Sequence, residues 1–189
     1  MRIRMLVVAT IASVATLIGA GAAHAAPAVQ PFAHQADAAG LTASEVAAVQ
    51  AKVDSYLKEV GGRQVALNKI AFAGGELLVA LPGELRARDL AAGTEARIGA
   101  ADSPCYFADK NGWFCAFRGT NFTGDQLNWY HCGTYTMPWA YNGSWANNQT
   151  TGTRARFYNS SGELHYTTPV PFSTSSSYSW LPVYKVKPC

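Results

Sequence analysis

The sequence CAFRGTNFTGDQLNWYHC, residues 115–132, is the strongest indication of fold class in this chain. Between its two cysteines it contains Phe117, four residues, Phe122, one further residue and then Gly124. Phe117 ends one strand-like run, and Gly124 begins the next at a point where a side chain would obstruct the fold-back. Glycine adopts positive φ there, or lets an aromatic ring lie on the backbone, without steric cost. This order of Phe117, Phe122 and Gly124 predicts a hairpin whose turn is covered by the two phenylalanine rings.

Beyond Pro104, short β-type runs recur roughly every ten residues and are separated by Gly, Asn, Ser and Pro. They are GWFCAF, DQLNWY, TRARFY, ELHYTT and LPVYKVK. A weaker copy of the aromatic and glycine order occurs at Phe157, Gly162 and Leu164. This pattern predicts an all-β C-terminal domain, a sandwich built from Greek keys.

The preceding part of the chain has a helical pattern. Residues 41–60 carry an apolar stripe, Thr42 and Glu45 form a capping-box signature, and a glycine pair follows. Two strand-like runs, residues 64–72 and 76–81, are joined by a second glycine pair. The sequence predicts a small α+β segment, a helix plus a β-hairpin.

Four regions follow from these patterns. Residues 1–25 combine a basic start, an apolar run and an A-H-A ending, which predicts a cleaved signal peptide and a secreted protein without a membrane span. Residues 26–83 form the helix and hairpin segment, residues 84–103 an Ala- and Gly-rich linker, and residues 104–189 the β domain. Two interpretations of residues 26–83 stay open, a pro-region that is removed or an ordinary segment on a surface linker.

Charge argues against nucleic acid as a partner. The chain has 15 basic and 12 acidic residues, and Arg2 and Arg4 are lost with the signal peptide, so the mature protein is close to neutral. No run of Lys and Arg with interleaved aromatic residues occurs, so the pattern that engages phosphates is missing.

The four cysteines are Cys105, Cys115, Cys132 and Cys189. An even number in a secreted chain predicts two disulfides, whereas a zinc site is disfavoured because Cys-x-x-Cys is absent. Three pairings are possible. We favour Cys105 with Cys115, a short loop compatible with adjacent strands, and Cys132 with Cys189, which would anchor the C-terminus.

The aromatic and glycine order resembles the βγ-crystallin Greek-key signature. When this order is flanked by cysteines in a secreted chain, it resembles the actinomycete secreted metalloproteinase-inhibitor family. The resemblance covers residues 105–189, and its best-matching runs are FCAFRGTNFTGD and NNQTTGTRARFY. The resemblance implies a secreted protein without a cofactor that blocks an extracellular metalloproteinase. We expect a monomer that binds this enzyme tightly and non-covalently. In that family the reactive bond lies in a loop held by a short disulfide in the second half of the domain. Here Cys189 alone follows Cys132, so no reactive-site residue is transferred.

A possible calcium ligand set is Asn147, Asn148 and Thr151, in a run that resembles the calcium-binding segment of microbial βγ-crystallins. Amide, carbonyl and hydroxyl oxygens suit Ca²⁺, but the run has no carboxylate. The alternative is a hydrogen-bonded Asn/Thr turn.

No enzyme is predicted, because G-x-S-x-G and H-E-x-x-H are absent and the cysteines are committed to disulfides. A candidate recognition loop carries Tyr135, Trp139, Tyr141 and Trp145, around Gly143. Clustered aromatic residues on a rigid loop suit recognition. The alternative is that these rings cap the sandwich.

Two functions from different classes remain. The first is the peptidase inhibitor. The second is a secreted βγ-crystallin-like effector of the antifungal killer-toxin kind, or a cell-wall carbohydrate-binding protein that uses exposed tryptophan.

Overall fold

The structure is a computed structural model that describes residues 31–92, 104–105 and 112–189. The predicted signal peptide and most of the predicted linker lie outside the described residues. The helices are α1 (Ala33–Ala38) and α2 (Ala43–Val60). The strands are β1 (Arg63–Ala66), β2 (Lys69–Phe72), β3 (Gly75–Leu78), β4 (Trp113–Gly119), β5 (Thr123–Trp129), β6 (Tyr135–Thr136), β7 (Asn142–Asn148), β8 (Arg156–Tyr158), β9 (Leu164–Thr167), β10 (Ser173–Ser179) and β11 (Lys185–Lys187).

Helix α2 begins at the predicted capping box. The Thr42 hydroxyl accepts a hydrogen bond from the Glu45 amide at 3.3 Å, and Glu45 Oε2 accepts one from the Thr42 amide at 2.8 Å. The helix ends at Gly61, which has φ 71° and donates its N–H to the Leu57 carbonyl. Both helix ends are therefore determined by local sequence.

The strands form two antiparallel sheets, as the predicted β class requires. The seven-stranded sheet has the order β1-β2-β3-β5-β4-β7-β10, and the four-stranded sheet has the order β6-β11-β8-β9. The first predicted strand run, residues 64–72, is two strands with a tight turn between them. Asn68 lies in that turn, fully buried, and its Nδ2 donates to the carbonyls of Val79 and Arg88 at 2.8 Å each.

The helix and hairpin segment belongs to the same compact unit as the later strands, and this unit spans residues 31–189. Strand β3 pairs with β5 over four residue pairs, so β1 to β3 extend the seven-stranded sheet. Residues 84–92, predicted as linker, also pack against this sheet. The Leu85 carbonyl accepts from the Gly124 amide at 2.7 Å, and the Lys69 ammonium lies 2.7 Å from the Asp89 carboxylate.

The hairpin predicted for residues 115–132 is confirmed. Strands β4 and β5 pair around a short 3-10 turn, Thr120–Phe122. The Phe117 and Phe122 rings meet edge to face with centroids 5.6 Å apart. Gly124 has φ 79°, the left-handed conformation that favours glycine. A Cβ there would lie 3.3 Å from the Gly119 nitrogen, which is the fold-back contact inferred from the sequence.

One aromatic core lies between the two sheets. Phe114 of β4 contacts Phe157 of β8 with ring centroids 5.7 Å apart, and Trp180 lies 5.3 Å from Phe157. These side chains are fully buried. Aromatic packing therefore helps to hold the two sheets together, and each ring buries a large apolar area.

The cysteines pair as favoured from the sequence, Cys105 with Cys115 and Cys132 with Cys189. The second bond closes a separation of 57 residues and ties the C-terminus to the end of β5. Two disulfides are typical of proteins that fold in an oxidising compartment. Within the described ranges, no helix is long and apolar enough to cross a membrane.

Two long strands, β7 and β10, were not predicted. Strand β7 pairs with β4 and β10, so it lies inside the seven-stranded sheet, where the sequence was interpreted as a loop. Gly143, placed in that loop, is buried in β7. Its Cα lies against the Phe117 carbonyl and the Trp180 indole, so a Cβ has no room there.

Candidate functional site

The predicted aromatic recognition loop is not a single exposed surface. Trp139 is 3% exposed and donates its indole N–H to the Tyr56 hydroxyl at 3.0 Å, and Trp145 is 2% exposed. Tyr135 is half-buried and donates its hydroxyl to a backbone carbonyl. Tyr141, 65% exposed, is the one of the four that presents its ring to solvent. Trp139 and Trp145 are core residues, in agreement with the alternative that these rings cap the sheets.

The predicted calcium ligands Asn147, Asn148 and Thr151 differ in exposure and in their hydrogen bonds. Asn147 and Asn148 are buried at the end of β7, and Thr151 is exposed in the following turn. Asn148 Nδ2 donates to the Pro104 carbonyl at 3.0 Å, and Asn147 Oδ1 accepts from the Gln149 amide at 3.3 Å. Both amides therefore take part in internal hydrogen bonds, which favours the Asn/Thr turn. The described residues contain no cluster of three or more His, Cys, Asp or Glu side chains placed to hold a metal.

Asn147 has a different neighbour, the loop of residues 168–172 between β9 and β10. Its Nδ2 lies within hydrogen-bonding distance of three acceptors, the Pro169 carbonyl at 3.0 Å, the Thr153 carbonyl at 3.1 Å and the Thr168 hydroxyl at 3.3 Å. Thr168 is fully buried and its hydroxyl also accepts from the Ala155 amide. The hydrogen bonds of Asn147 and Thr168 therefore hold the start of this loop in place.

The top of this loop is apolar and exposed. Val170 is 44% and Phe172 is 67% exposed, and each stands next to a proline in the order Pro169, Val170, Pro171, Phe172. Proline fixes its own φ and restricts the residue before it to extended conformations. We call residues 168–172 the proline loop. It is a segment of defined shape that presents two apolar side chains.

A cleft of about 460 Å³ lies between α2 and the seven-stranded sheet. We call it the α2 cleft. Its walls come from α2, from the chain after β3, from β4 and β5, and from the loop before β7. They are Ala48, Val49, Lys52, Ala80, Leu81, Pro82, Glu84, Arg118, Gly119, Gly124, Asp125 and Tyr141.

The floor of the α2 cleft is a buried carboxylate. Asp125 is 1% exposed and accepts hydrogen bonds from the Tyr56 hydroxyl at 2.7 Å, the Ala80 amide at 2.9 Å and the Lys52 ammonium at 3.1 Å. A buried charge is tolerated when it is paired and hydrogen-bonded in this way. Asp125 therefore joins α2, the end of the hairpin and β5.

Tyr56 completes this network. Its hydroxyl donates to Asp125 and accepts from the Trp139 indole. Burial raises the pKa of Tyr56 well above its ordinary value, and the nearby Asp125 charge raises it further. Tyr56 is therefore neutral at any physiological pH and acts as a hydrogen-bond relay between the helix and the core.

A second, open pocket of about 350 Å³ is mainly aromatic and is lined by residues of β2, β3, β4 and the segment after β5. Trp113 and Tyr130 meet with centroids 5.1 Å apart, and Tyr130 contacts His131 edge to face at 5.4 Å. Phe72 and Glu76 form its remaining side-chain walls, and Gly74 and Gly75 its backbone. Tyr130 is 53% exposed.

The sequence contains the residues of these sites, but hydrophobic periodicity alone does not identify them as site residues. Lys52 and Tyr56 are four residues apart, hence on one face of α2, but Tyr56 also fits the apolar stripe of residues 41–60, which hides its polar role. Asp125 directly follows the motif glycine and had no partner visible in the sequence. The proline loop was visible as Pro-Val-Pro-Phe, but nothing local indicates that Asn147 lies beneath it.

Comparison of the chain with protein-family models, with curated proteins and with solved structures gives no match. The function is therefore argued from the geometry of these sites and from the resemblance of the motifs.

Proposed function

We propose that the protein is a secreted, non-catalytic inhibitor of an extracellular metallopeptidase, which it binds tightly and non-covalently as a monomer. A βγ-crystallin-like Greek-key arrangement of the strands and removal of residues 1–25 are parts of the same proposal. The two disulfides support secretion because such bonds persist in oxidising compartments. The proline loop is the observation that carries the proposal.

The proline loop has the properties of a segment that occupies a substrate cleft. Val170 and Phe172 offer the apolar side chains that an apolar specificity pocket takes up. Buried Asn147 holds the Pro169 carbonyl, and two prolines limit the conformations of the backbone. Little conformational entropy remains to be lost when such a loop binds, and preorganisation of this kind increases affinity.

A metallopeptidase activates water at a zinc ion with an open coordination position. A loop that fills the cleft competes with substrate for this centre, and its rigid base opposes the distortion that bond cleavage needs. No catalytic group of the inhibitor takes part. The recognition element is thus the proline loop, whereas Trp139 and Trp145 are buried core residues.

The test measures residual activity of a panel of thermolysin-like and serine peptidases with the purified full-length mature protein. We expect stoichiometric inhibition of at least one metallopeptidase. Phe172→Ala should weaken the inhibition by about 10- to 100-fold, because full burial of a Phe side chain contributes about 1.5 to 3 kcal/mol. Leu164→Ala is the matched control, since Leu164 is 56% exposed on the neighbouring strand and outside the loop. It should inhibit like the wild type.

The proposal fails if the folded protein inhibits no metallopeptidase in the panel, or if Phe172→Ala and Leu164→Ala inhibit equally. One observation then favours carbohydrate binding at a cell wall, the second candidate. The pocket beside Trp113 and Tyr130 combines the exposed Tyr130 ring and the half-buried Trp113 ring with the Glu76 carboxylate, and flat aromatic faces with polar neighbours suit sugar rings. Retention on insoluble polysaccharide that is lost in Tyr130→Ala would identify this function.

A further inference from the structure

The α2 cleft is lined by two cations, Lys52 and Arg118, and by the carboxylates of Asp125 and Glu84. Lys52 lies 3.1 Å from Asp125 Oδ1, but Arg118 Nη1 lies 3.9 Å from Asp125 Oδ2, beyond hydrogen-bonding distance. Glu84, the other carboxylate of the cleft, pairs with Arg88 at 2.8 Å. Two cations therefore face the cleft beside one buried carboxylate.

Both cations are accessible from solvent. The side chains of Lys52 and Arg118 are each 43% exposed, whereas that of Asp125 is 1% exposed. The carboxylate is satisfied from below by Tyr56 and Ala80. A ligand that enters the cleft therefore meets the ammonium and guanidinium groups before it meets the carboxylate.

The rest of the cleft is apolar and aromatic. The Arg118 guanidinium lies 5.7 Å from the centroid of the Tyr141 ring, which is itself 65% exposed. Val49, Leu81 and Pro82 line the cleft as apolar wall residues. Its volume of about 460 Å³ falls within the range of small-molecule sites.

We propose that the α2 cleft binds a small monocarboxylate with an apolar or aromatic body, such as the C-terminal residue of a peptide. The guanidinium of Arg118, with Lys52 beside it, receives the carboxylate, because guanidinium and carboxylate match in geometry and charge. The apolar body lies against Pro82 and the Tyr141 ring. Lys52 pairs with Asp125 and Glu84 pairs with Arg88, so Arg118 is the most loosely paired cation of the cleft, and one such cation fits a monoanion. A dianionic phosphate is disfavoured because it would bring a second negative charge close to the Asp125 carboxylate.

This inference is independent of the proposed inhibition, because the cleft and the proline loop share no residue. The test is a titration of the full-length mature protein with N-acetyl-phenylalanine, followed by calorimetry and by amide chemical shifts. We expect saturable binding, with shifts centred on Arg118 and Tyr141. N-acetyl-phenylalaninamide, which has no carboxylate, and inorganic phosphate should each bind at least about tenfold more weakly.

Two cleft variants and one control complete the experiment. Arg118→Gln should weaken binding by about tenfold or more, and so should Tyr141→Ala, which changes an exposed ring and leaves the fold intact. Arg154→Gln removes an exposed arginine outside the cleft and should bind like the wild type. Thermal unfolding verifies that each variant is folded. The proposal is overturned if the acid does not saturate, if acid and amide bind equally, if the shifts lie elsewhere, or if the Arg118 and Arg154 variants behave alike.

Discussion

Replacement of Asp125 by asparagine tests whether the buried carboxylate joins the helix and hairpin to the rest of the unit. The side chain keeps its size, but its charge is lost and one oxygen becomes an N–H donor. That donor would face Tyr56, Ala80 or Lys52, each of which already donates to Asp125. Asp125→Asn therefore removes acceptors without creating a cavity.

The magnitude follows from these contacts. A hydrogen bond to a charged group contributes about 1 kcal/mol more than a neutral one, and Asp125 has two that are shielded from solvent, from Tyr56 and Ala80. The new donor without an acceptor adds about 1 kcal/mol. The Lys52 pair contributes about 0.5 kcal/mol or less, because that side chain is 43% exposed and screened by water. We expect a loss of about 3 kcal/mol in the free energy of unfolding, a large part of the stability of an ordinary domain.

The assay is urea denaturation followed by tryptophan fluorescence, with the midpoint and the m-value both fitted. Lys52→Met is the matched control, and it should lose no more than about 1 kcal/mol. Tyr56→Phe should lower the free energy of unfolding by more than Lys52→Met does, because it removes a donor to Asp125 and leaves the Trp139 indole without its acceptor. A loss below about 0.5 kcal/mol for Asp125→Asn, or one equal to that of Lys52→Met, would refute the reasoning.

Two further predictions concern the glycines and the N-terminal segment. Gly143→Ala should destabilise the protein by about 3 kcal/mol, because its Cβ would displace the buried Trp180 and disturb the hydrogen bond from the Trp180 indole to the Phe117 carbonyl. Gly124→Ala should destabilise it by only about 1 to 2 kcal/mol, through backbone strain. This order is the reverse of the one expected if Gly143 lay in a loop, and equal melting temperatures would contradict it. Removal of residues 26–103 should abolish cooperative unfolding, because β5 loses its partner β3 and the buried carboxylate loses its donors. A truncated protein with an unchanged melting temperature would show that the segment is dispensable.

Local sequence was sufficient for several elements. The capping box sets the start of α2 because Thr42 and Glu45 satisfy each other's backbone amides within a single turn. The hairpin of β4 and β5 was predictable because one of its positive-φ positions falls on Gly124, although Asn121 and Phe122 also have positive φ. The Cys105 with Cys115 bond follows from a short separation between adjacent segments.

Strands β7 and β10 could not be predicted in this way. Residues 142–148 are rich in Asn, which is depleted in strands, and residues 173–179 are rich in Ser and lack the apolar alternation of a half-buried strand. Strand β7 exists because it lies between β4 and β10 and its backbone groups are paired on both sides. Buried Asn147 and Asn148 are tolerated because tertiary neighbours supply carbonyl acceptors for their amides.

The sequence by itself determined the elements that depend on interactions within a few residues. These are the two ends of α2, the hairpin of β4 and β5, and the strands in which apolar and polar residues alternate. The tertiary structure decided how they combine. Pairing of β3 with β5 joined the strands β1 to β3 to the main sheet, and Asp125 found donors 45 to 73 residues away. Trp139 and Trp145 are buried in the core of the folded protein, whereas Tyr141 is exposed. Side-chain exposure and long-range hydrogen bonds depend on which surfaces meet when the chain folds, and periodicity along the sequence does not specify those surfaces.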